Sequence, residues 1–326
     1  MLKEGIPMIR IFKTIEGKVH QIHQNDSFDS LEKNCWVALT NPSLDELKLI
    51  SQKHNIDIDD LKSALDEEER SRIEVEENYT MIVLDIPVTE IRNDKEYFYT
   101  IPFAIIKTDD DTVITVCLED TPVLTVFMDG RVRGFDTCKT AKFIYQMLYR
   151  NATMYLQYLR IIDKKSEEVE KKLHISQRNQ ELIDMLELEK SLVYITTSLR
   201  GNELVLERLT RNTSIPKTEE DEELLEDVII ENKQAIEMAK IYSDILSGTM
   251  DAYASVISNN LNIVMKFLSV ITIVLTVPTI VTSAFGMNVA GIPLANHPLG
   301  FWIIVGISLV LAVIAGLLIG KYQKFN

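Results

Sequence analysis

Ser269, Thr272, Thr276, Thr279 and Ser283 recur at steps of three or four residues. On a helix those steps put all five hydroxyls on one stripe, which Gly286 continues. The stripe runs into Gly286-Met287-Asn288, then a loop to residue 300 with Gly291, Pro293 and Pro298 and no Lys, Arg, Asp or Glu. The chemistry on offer is that of neutral oxygens, which hydrogen-bond water. A lone Thr can turn its hydroxyl back onto its own helix, so it is the spacing that marks one face as not built for lipid. Followed backwards, the same spacing reaches Met265, Asn262, Ser258, Ser255 and Asp251. Two readings stand: a seam facing a water-filled axis, or a coiled-coil contact made of small residues. An axis requires several copies of the chain, because two helices enclose nothing. No Ser/His/Asp or Cys/His arrangement with a nucleophile elbow is present, so an enzyme is not expected.

The elements that position the stripe are two apolar runs. Residues 267–285 and 301–320 are 19 and 20 residues long, and no charged residue lies between 267 and 320. At ~1.5 Å per residue each spans a hydrocarbon core ~30 Å thick. Lys266 precedes the first run, and Lys321 and Lys324 follow the second. The positive-inside rule then places both ends in the cytoplasm and the loop 286–300 outside, in a cell membrane. Phe301 and Trp302 mark the outer interface and Tyr322 the inner one. Ala312, Gly316 and Gly320 form a small-xxx-small face for close helix contact.

The rest of the chain reads as soluble. Its 49 acidic against 34 basic residues give a formal net charge of −15, which excludes the basic footprint of a nucleic-acid binder. Residues 1–135 form a cytoplasmic α/β domain, with strand-like runs at 8–12, 35–39, 79–88, 99–107 and 112–118. Ser43 with Glu46 makes a capping box, and 56–65 and 122–130 read as further short helices. Residues 136–266 form a helical stalk. A helix over about 137–211 breaks near Glu181 and ends at 210–217, and a single helix runs from about 218 to 285 with Pro278 inside it. Residues 267–326 form the transmembrane domain. The fold class is therefore α+β, with a long-helix bundle and two C-terminal transmembrane helices.

Other signals are weak. Neither GxGxxG nor GxxxxGK[ST] occurs, so no ATP site is expected. Cys35, Cys117 and Cys138 are far apart and odd in number, as in a reduced compartment. The acidic run 219–227 reads as a solvated helix start or a holder of divalent cations. His20 and His23 fall on opposite faces of a strand, and His297 stands alone in the loop. The N-terminus lacks the apolar core of a signal peptide.

"FGMN" at 285–288, closing the first of two C-terminal spans, resembles the signature of the CorA family of magnesium transporters. The stretch 244–288 resembles that family's pore helix, and the order of domains agrees. The resemblance implies a homopentameric funnel in the lipid bilayer, lined by five long helices and carrying divalent cations. It implies that Asn288 forms the outer selectivity ring after Gly286 and Met287, with Thr279 as a polar ring below. It assigns Met265 and Leu268 to a hydrophobic gate, Asp251 to the cytoplasmic pore and Asp227 to an intersubunit metal-sensing site. Two departures stand out. Leu294, not an acid, follows Pro293. Lys62 and Ser63 occupy the expected place of the sensor's second acid, leaving Asp59, Asp60 or Asp66 as substitutes. Met287 favours Mg²⁺ over the zinc branch of the fold.

Mg²⁺ dehydrates reluctantly, and neutral amide and hydroxyl oxygens can hold its water shell without stripping it. With no ATP site, uptake would run on the membrane potential, ~4.6 kcal/mol per 100 mV for two charges. Mg²⁺ would be both cargo and cytosolic regulator. A Zn²⁺, Co²⁺ or Ni²⁺ transporter of the same fold, or a non-transporting anchored scaffold, are the alternatives.

Overall fold

The computed structural model describes residues 9–22, 33–92, 95–176, 179–287, 292–294 and 297–323. The chain divides into two compact units, 1–249 and 250–326. In the first, a seven-stranded sheet has the order β2-β1-β3-β7-β6-β5-β4. Its strands are β1 (Ile9–Ile15), β2 (Lys18–Ile22), β3 (Trp36–Thr40), β4 (Arg72–Val75), β5 (Tyr79–Arg92), β6 (Lys95–Thr108) and β7 (Val113–Cys117). β3 and β7 pair in parallel; the other pairs are antiparallel.

Side chains alternate across a strand, and both faces here are apolar, so both are covered. Ile82, Leu84 and Ile86 face one core with Trp36 and Phe103. Met81 and Val83 face the other with Val37 and Ile106. The second core is closed by α1 (Leu44–His54) and α2 (Ile58–Ser63), through Leu47, Ile50 and Leu61. The first is closed by α3 (Pro122–Met128), α4 (Thr140–Ser176), α5 (Asn179–Arg211) and the start of α6 (Glu219–Phe285). Phe127, Phe143, Leu206 and Val228 supply the contacts. Trp36 stacks on Phe12 with ring centroids 4.9 Å apart, and its indole N–H donates to Thr115 Oγ1 at 2.9 Å.

The expected capping box is present. Glu46 N–H donates to Ser43 Oγ at 3.3 Å, and Ser43 N–H donates to Glu46 Oε2 at 2.8 Å. Thr218 and Asp221 repeat the arrangement at the head of α6, with the Thr218 N–H and hydroxyl both donating to Asp221 Oδ2. Two features depart from the expected strands. The β5–β6 pair runs on past the buried stretch, to Arg92 and Lys95, because its main-chain ladder continues after alternation is lost. β4 is a four-residue edge strand, Arg-Ile-Glu-Val, too short and too charged to show in a pattern.

Polar side chains fasten the helices to the sheet. Asn151 of α4 and Asn202 of α5 both donate through Nδ2 to the carbonyl of Asp85 in β5, at 2.9 and 2.8 Å. The Asp85 N–H donates to Asn202 Oδ1 at 2.9 Å. Burial beneath these helices raises the Asp85 carboxyl above its ordinary range, with a bond from Ser198 opposing the shift.

Candidate permeation path

The second unit holds the C-terminal part of α6 and α7 (Gly300–Gln323), both long and apolar enough to cross a membrane. Neither is buried in the chain as a soluble core helix would be. Within α6 the better-covered residues are Val270, Val274, Val277, Pro278, Val281 and Phe285. These lie on one side of the helix at ~100° per residue. α7 covers this side. Ser308 and Ala312 are buried, and a Cβ placed on Gly316 would sit 3.5 Å from Val274 Cγ2. Of the small-residue face expected on the second span, Ala312 is buried and Gly316 meets α6, with Ser308 buried one turn before them, while a Cβ on Gly320 would meet open space.

The hydroxyl stripe lies roughly opposite. Ser269, Thr272, Thr276, Thr279 and Ser283 are all exposed in the chain. Ser269 Oγ donates to the Met265 carbonyl at 2.8 Å, Thr272 Oγ1 to Leu268 at 2.8 Å, Thr276 Oγ1 to Thr272 at 2.7 Å and Thr279 Oγ1 to Leu275 at 3.0 Å. Each hydroxyl proton is thus committed to the carbonyl one turn back. What these four groups present outward is oxygen lone pairs, an acceptor surface for water or cations and a poor one for anions. Thr282 is off the stripe; its Oγ1 donates to the carbonyls of Pro278 and Thr279.

Gly286 closes the helix, its N–H donating to Thr282 O at 2.9 Å. A Cβ there would lie 3.2 Å from that same carbonyl, so the close turn favours glycine. Met287 is exposed, and Asn288 lies outside the described residues. Lower on the same face, Met265 is 53 % exposed and Leu268 56 %. Asp251 is exposed, and its carbonyl accepts from Ser255 Oγ at 3.0 Å.

Asp227 and Asp66 belong to the first unit, and both are exposed. Among the described residues no group of three or more His, Cys, Asp or Glu is gathered so as to hold a metal ion. The three candidate substitutes near Lys62 are not equivalent. Asp59 accepts from Lys62 Nζ at 2.9 Å, and Asp60 accepts from the Tyr79 hydroxyl at 2.5 Å. Among the described residues the Asp66 carboxylate accepts the main-chain N–H of Glu68 and no side-chain donor. The sequence reading missed the α7-facing row of Val270, Val274 and Val281. Its steps of four and seven were visible, but valines in a span do not stand out from lipid-facing residues.

An α+β soluble unit, a helix long enough to serve both units and a second apolar helix packed against it define an integral membrane protein with two C-terminal spans. Residues 32–321 match the family model described as CorA-like Mg2+ transporter protein, and the chain belongs to that family. It is a family of transporters, not of enzymes. The chain is 29 % identical over 314 residues to the cobalt/magnesium transport protein CorA of Methanocaldococcus jannaschii, covering 92 % of each. The complete structure of the CorA magnesium transporter from that organism superposes with a TM-score of 0.79 at 25 % identity, covering 96 % of this chain and 97 % of that one. The full-length CmaX protein shares the fold, with a TM-score of 0.69 at 15 % identity over 96 % of this chain and 97 % of that one.

Proposed function

We propose that this chain is a passive uptake path for Mg²⁺ in the cell membrane, assembled as a homopentamer with both termini cytoplasmic. The observation that carries the reading is the acceptor face of α6, set opposite the side covered by α7. Lipid cannot use such a face, and one chain cannot enclose it. Five copies turn each hydroxyl into a ring and leave α7 on the outside. Asn288 adds the outermost ring, with Gly286 and Met287 shaping the turn. Thr272, Thr276, Thr279 and Ser283 continue a wet path inward, and rings of Met265 and Leu268 gate it by excluding water. Asp251 lines the cytoplasmic end. Residues 1–135 serve as the cytoplasmic domain and 136–266 as the stalk.

Cytosolic Mg²⁺ closes the path by relieving repulsion between carboxylates of neighbouring copies, Asp227 on one side and Asp66 on the other. Asp66 is favoured over Asp59 and Asp60 because, among the described residues, no side chain engages its carboxylate. The membrane potential supplies the driving force.

The test is purified protein in liposomes loaded with a magnesium-sensitive dye, under an imposed inside-negative potential. Saturable entry that is lost in Asn288→Gly with assembly intact supports the reading. Wild-type flux through Asn288→Gly, or a monomer in native mass spectrometry, removes it. Co²⁺ is the second cargo to measure, because the relative from M. jannaschii is named for both metals. Zn²⁺ and Ni²⁺ complete the competition series.

A further inference from the structure

A cavity of about 590 Å³ opens in the first unit between α3, the loop after it, α4 and the start of α6. Its walls have opposite charge. Lys142 and Arg150 of α4 join Arg131 and Arg133 of the loop on one side. Glu220, Glu223 and Asp227, all from α6, form the other. At one end the walls meet, with Lys142 Nζ 2.5 Å from Glu220 Oε1. That bond holds the Glu220 carboxyl below its ordinary range. Arg131 turns away to Asp129.

The other four charges do not meet. Among the described residues, Arg133, Arg150, Glu223 and Asp227 form no ion pair, although they line one cavity. Two buried polar atoms in its wall also lack partners, Arg150 Nε and Gln146 Oε1. Two cations and two anions that face a common space without reaching each other leave room for a ligand with the reverse pattern. Guanidinium groups fork onto phosphate oxygens. Carboxylates take a divalent cation. Mg²⁺ in particular is held through one or two carboxylates together with phosphates, not by an all-protein cage. No group of three or more such ligands is gathered among the described residues, so phosphate oxygens and retained waters would complete the coordination. The volume lies within the range of small-molecule sites, ~300–1,000 Å³.

We propose that this cavity binds a Mg²⁺-complexed oligophosphate, with the phosphates on Arg133 and Arg150 and the metal shared with Glu223 and Asp227. No glycine-rich loop is needed, because side chains do the holding. The proposal deepens the regulatory reading of Asp227 and depends on that reading for its role. The chain would then respond to metal-loaded phosphate metabolites as well as to the free ion. Val132 and Leu224, half-buried in its lining, offer apolar contact to an organic group on the phosphate.

Binding is measured by calorimetry on the full-length protein without any ion gradient, so a failure of transport leaves the result readable. The probes are Mg²⁺-pyrophosphate, pyrophosphate with chelator, Mg²⁺ alone and Mg²⁺-adenosine diphosphate. Mg²⁺-pyrophosphate is expected to bind saturably and to weaken about tenfold in Arg133→Gln and in Asp227→Asn, one hydrogen-bonded charge being worth ~1.4 kcal/mol or more. Arg133 is exposed, so its variant keeps the test sound even if Arg150→Gln fails to fold. Equal affinity for the two complexes identifies inorganic oligophosphate as the source; tighter binding of the diphosphate ester identifies an organic one. The proposal is overturned by no saturable binding up to about 1 mM, by binding indifferent to Arg133→Gln, or by a heat that Mg²⁺ alone reproduces.

Discussion

Thr279→Val separates a hydroxyl that lines a path from one that merely sits in a helix. Val keeps the shape of Thr and removes only the oxygen. The lost bond, Thr279 Oγ1 to Leu275 O, is local, and Thr and Val have similar helix propensities, so stability should move by ~0.5 kcal/mol or less. Transport should respond differently. Because the proton already serves Leu275, each Thr279 offers the ion's water shell one acceptor worth ~0.5 kcal/mol, the low end for a net hydrogen bond. In the proposed pentamer a ring of five would contribute ~2.5 kcal/mol, so its loss predicts a ~70-fold fall in Mg²⁺ entry at ~1.36 kcal/mol per decade. Thr282→Val is the control, since Thr282 makes the same kind of backward bond off the stripe. The assay is stopped-flow dye fluorescence in liposomes under a fixed potential. Flux in Thr279→Val within about twofold of wild type, or an equal loss in Thr282→Val, would refute the assignment of the stripe to the path.

Met265→Asp and Leu268→Asp should wet the proposed gate and raise resting entry several-fold in the same assay, with no change in assembly by native mass spectrometry. Gly316→Leu should cost ~1–3 kcal/mol, read as a lower melting temperature in detergent, because its side chain meets Val274; Gly306→Leu should be near neutral, with nothing within 4 Å of its Cβ position. Asp85→Asn tests the buried carboxyl by its pH dependence. Burial lifts the folded-state pKa above 3.8, so the fold carries a penalty that is absent below that value and grows as pH rises through the folded pKa. The variant should therefore melt higher than wild type at pH 7 and alike at pH 3, as read by circular dichroism.

The two spans and the hydroxyl stripe were legible in the sequence because both are periodic, and period survives in a bare string of letters. The long helix was legible for a related reason. Thr218 marks its start, and Pro278 is tolerated inside a span because Ser/Thr side chains and neighbouring helices re-satisfy the backbone. The direction of the hydroxyl protons was not legible, since it depends on which carbonyl lies within reach. Nor was the charged cavity. Arg133, Arg150 and Asp227 are far apart in sequence, and each looks like an ordinary surface charge until the sheet and α3 bring them around one space. The distinction among Asp59, Asp60 and Asp66 was hidden in the same way, because it depends on Tyr79 arriving from β5 to claim Asp60.

The backward bonds of Ser269, Thr272, Thr276 and Thr279 bear on a different traveller, the proton. Hopping conduction needs links that accept a proton on one side and release one on the other. A hydroxyl whose hydrogen is tied to a main-chain carbonyl can accept but has nothing to pass on. As the wall of the proposed path, the stripe would therefore add no relay through these four hydroxyls to a chain of waters. In the proposed assembly any acid leak would have to run through the water column alone, and closed rings of Met265 and Leu268 would break that column. With those rings open the column is continuous, so the stripe would spare the membrane potential only the added leak of a hydroxyl relay.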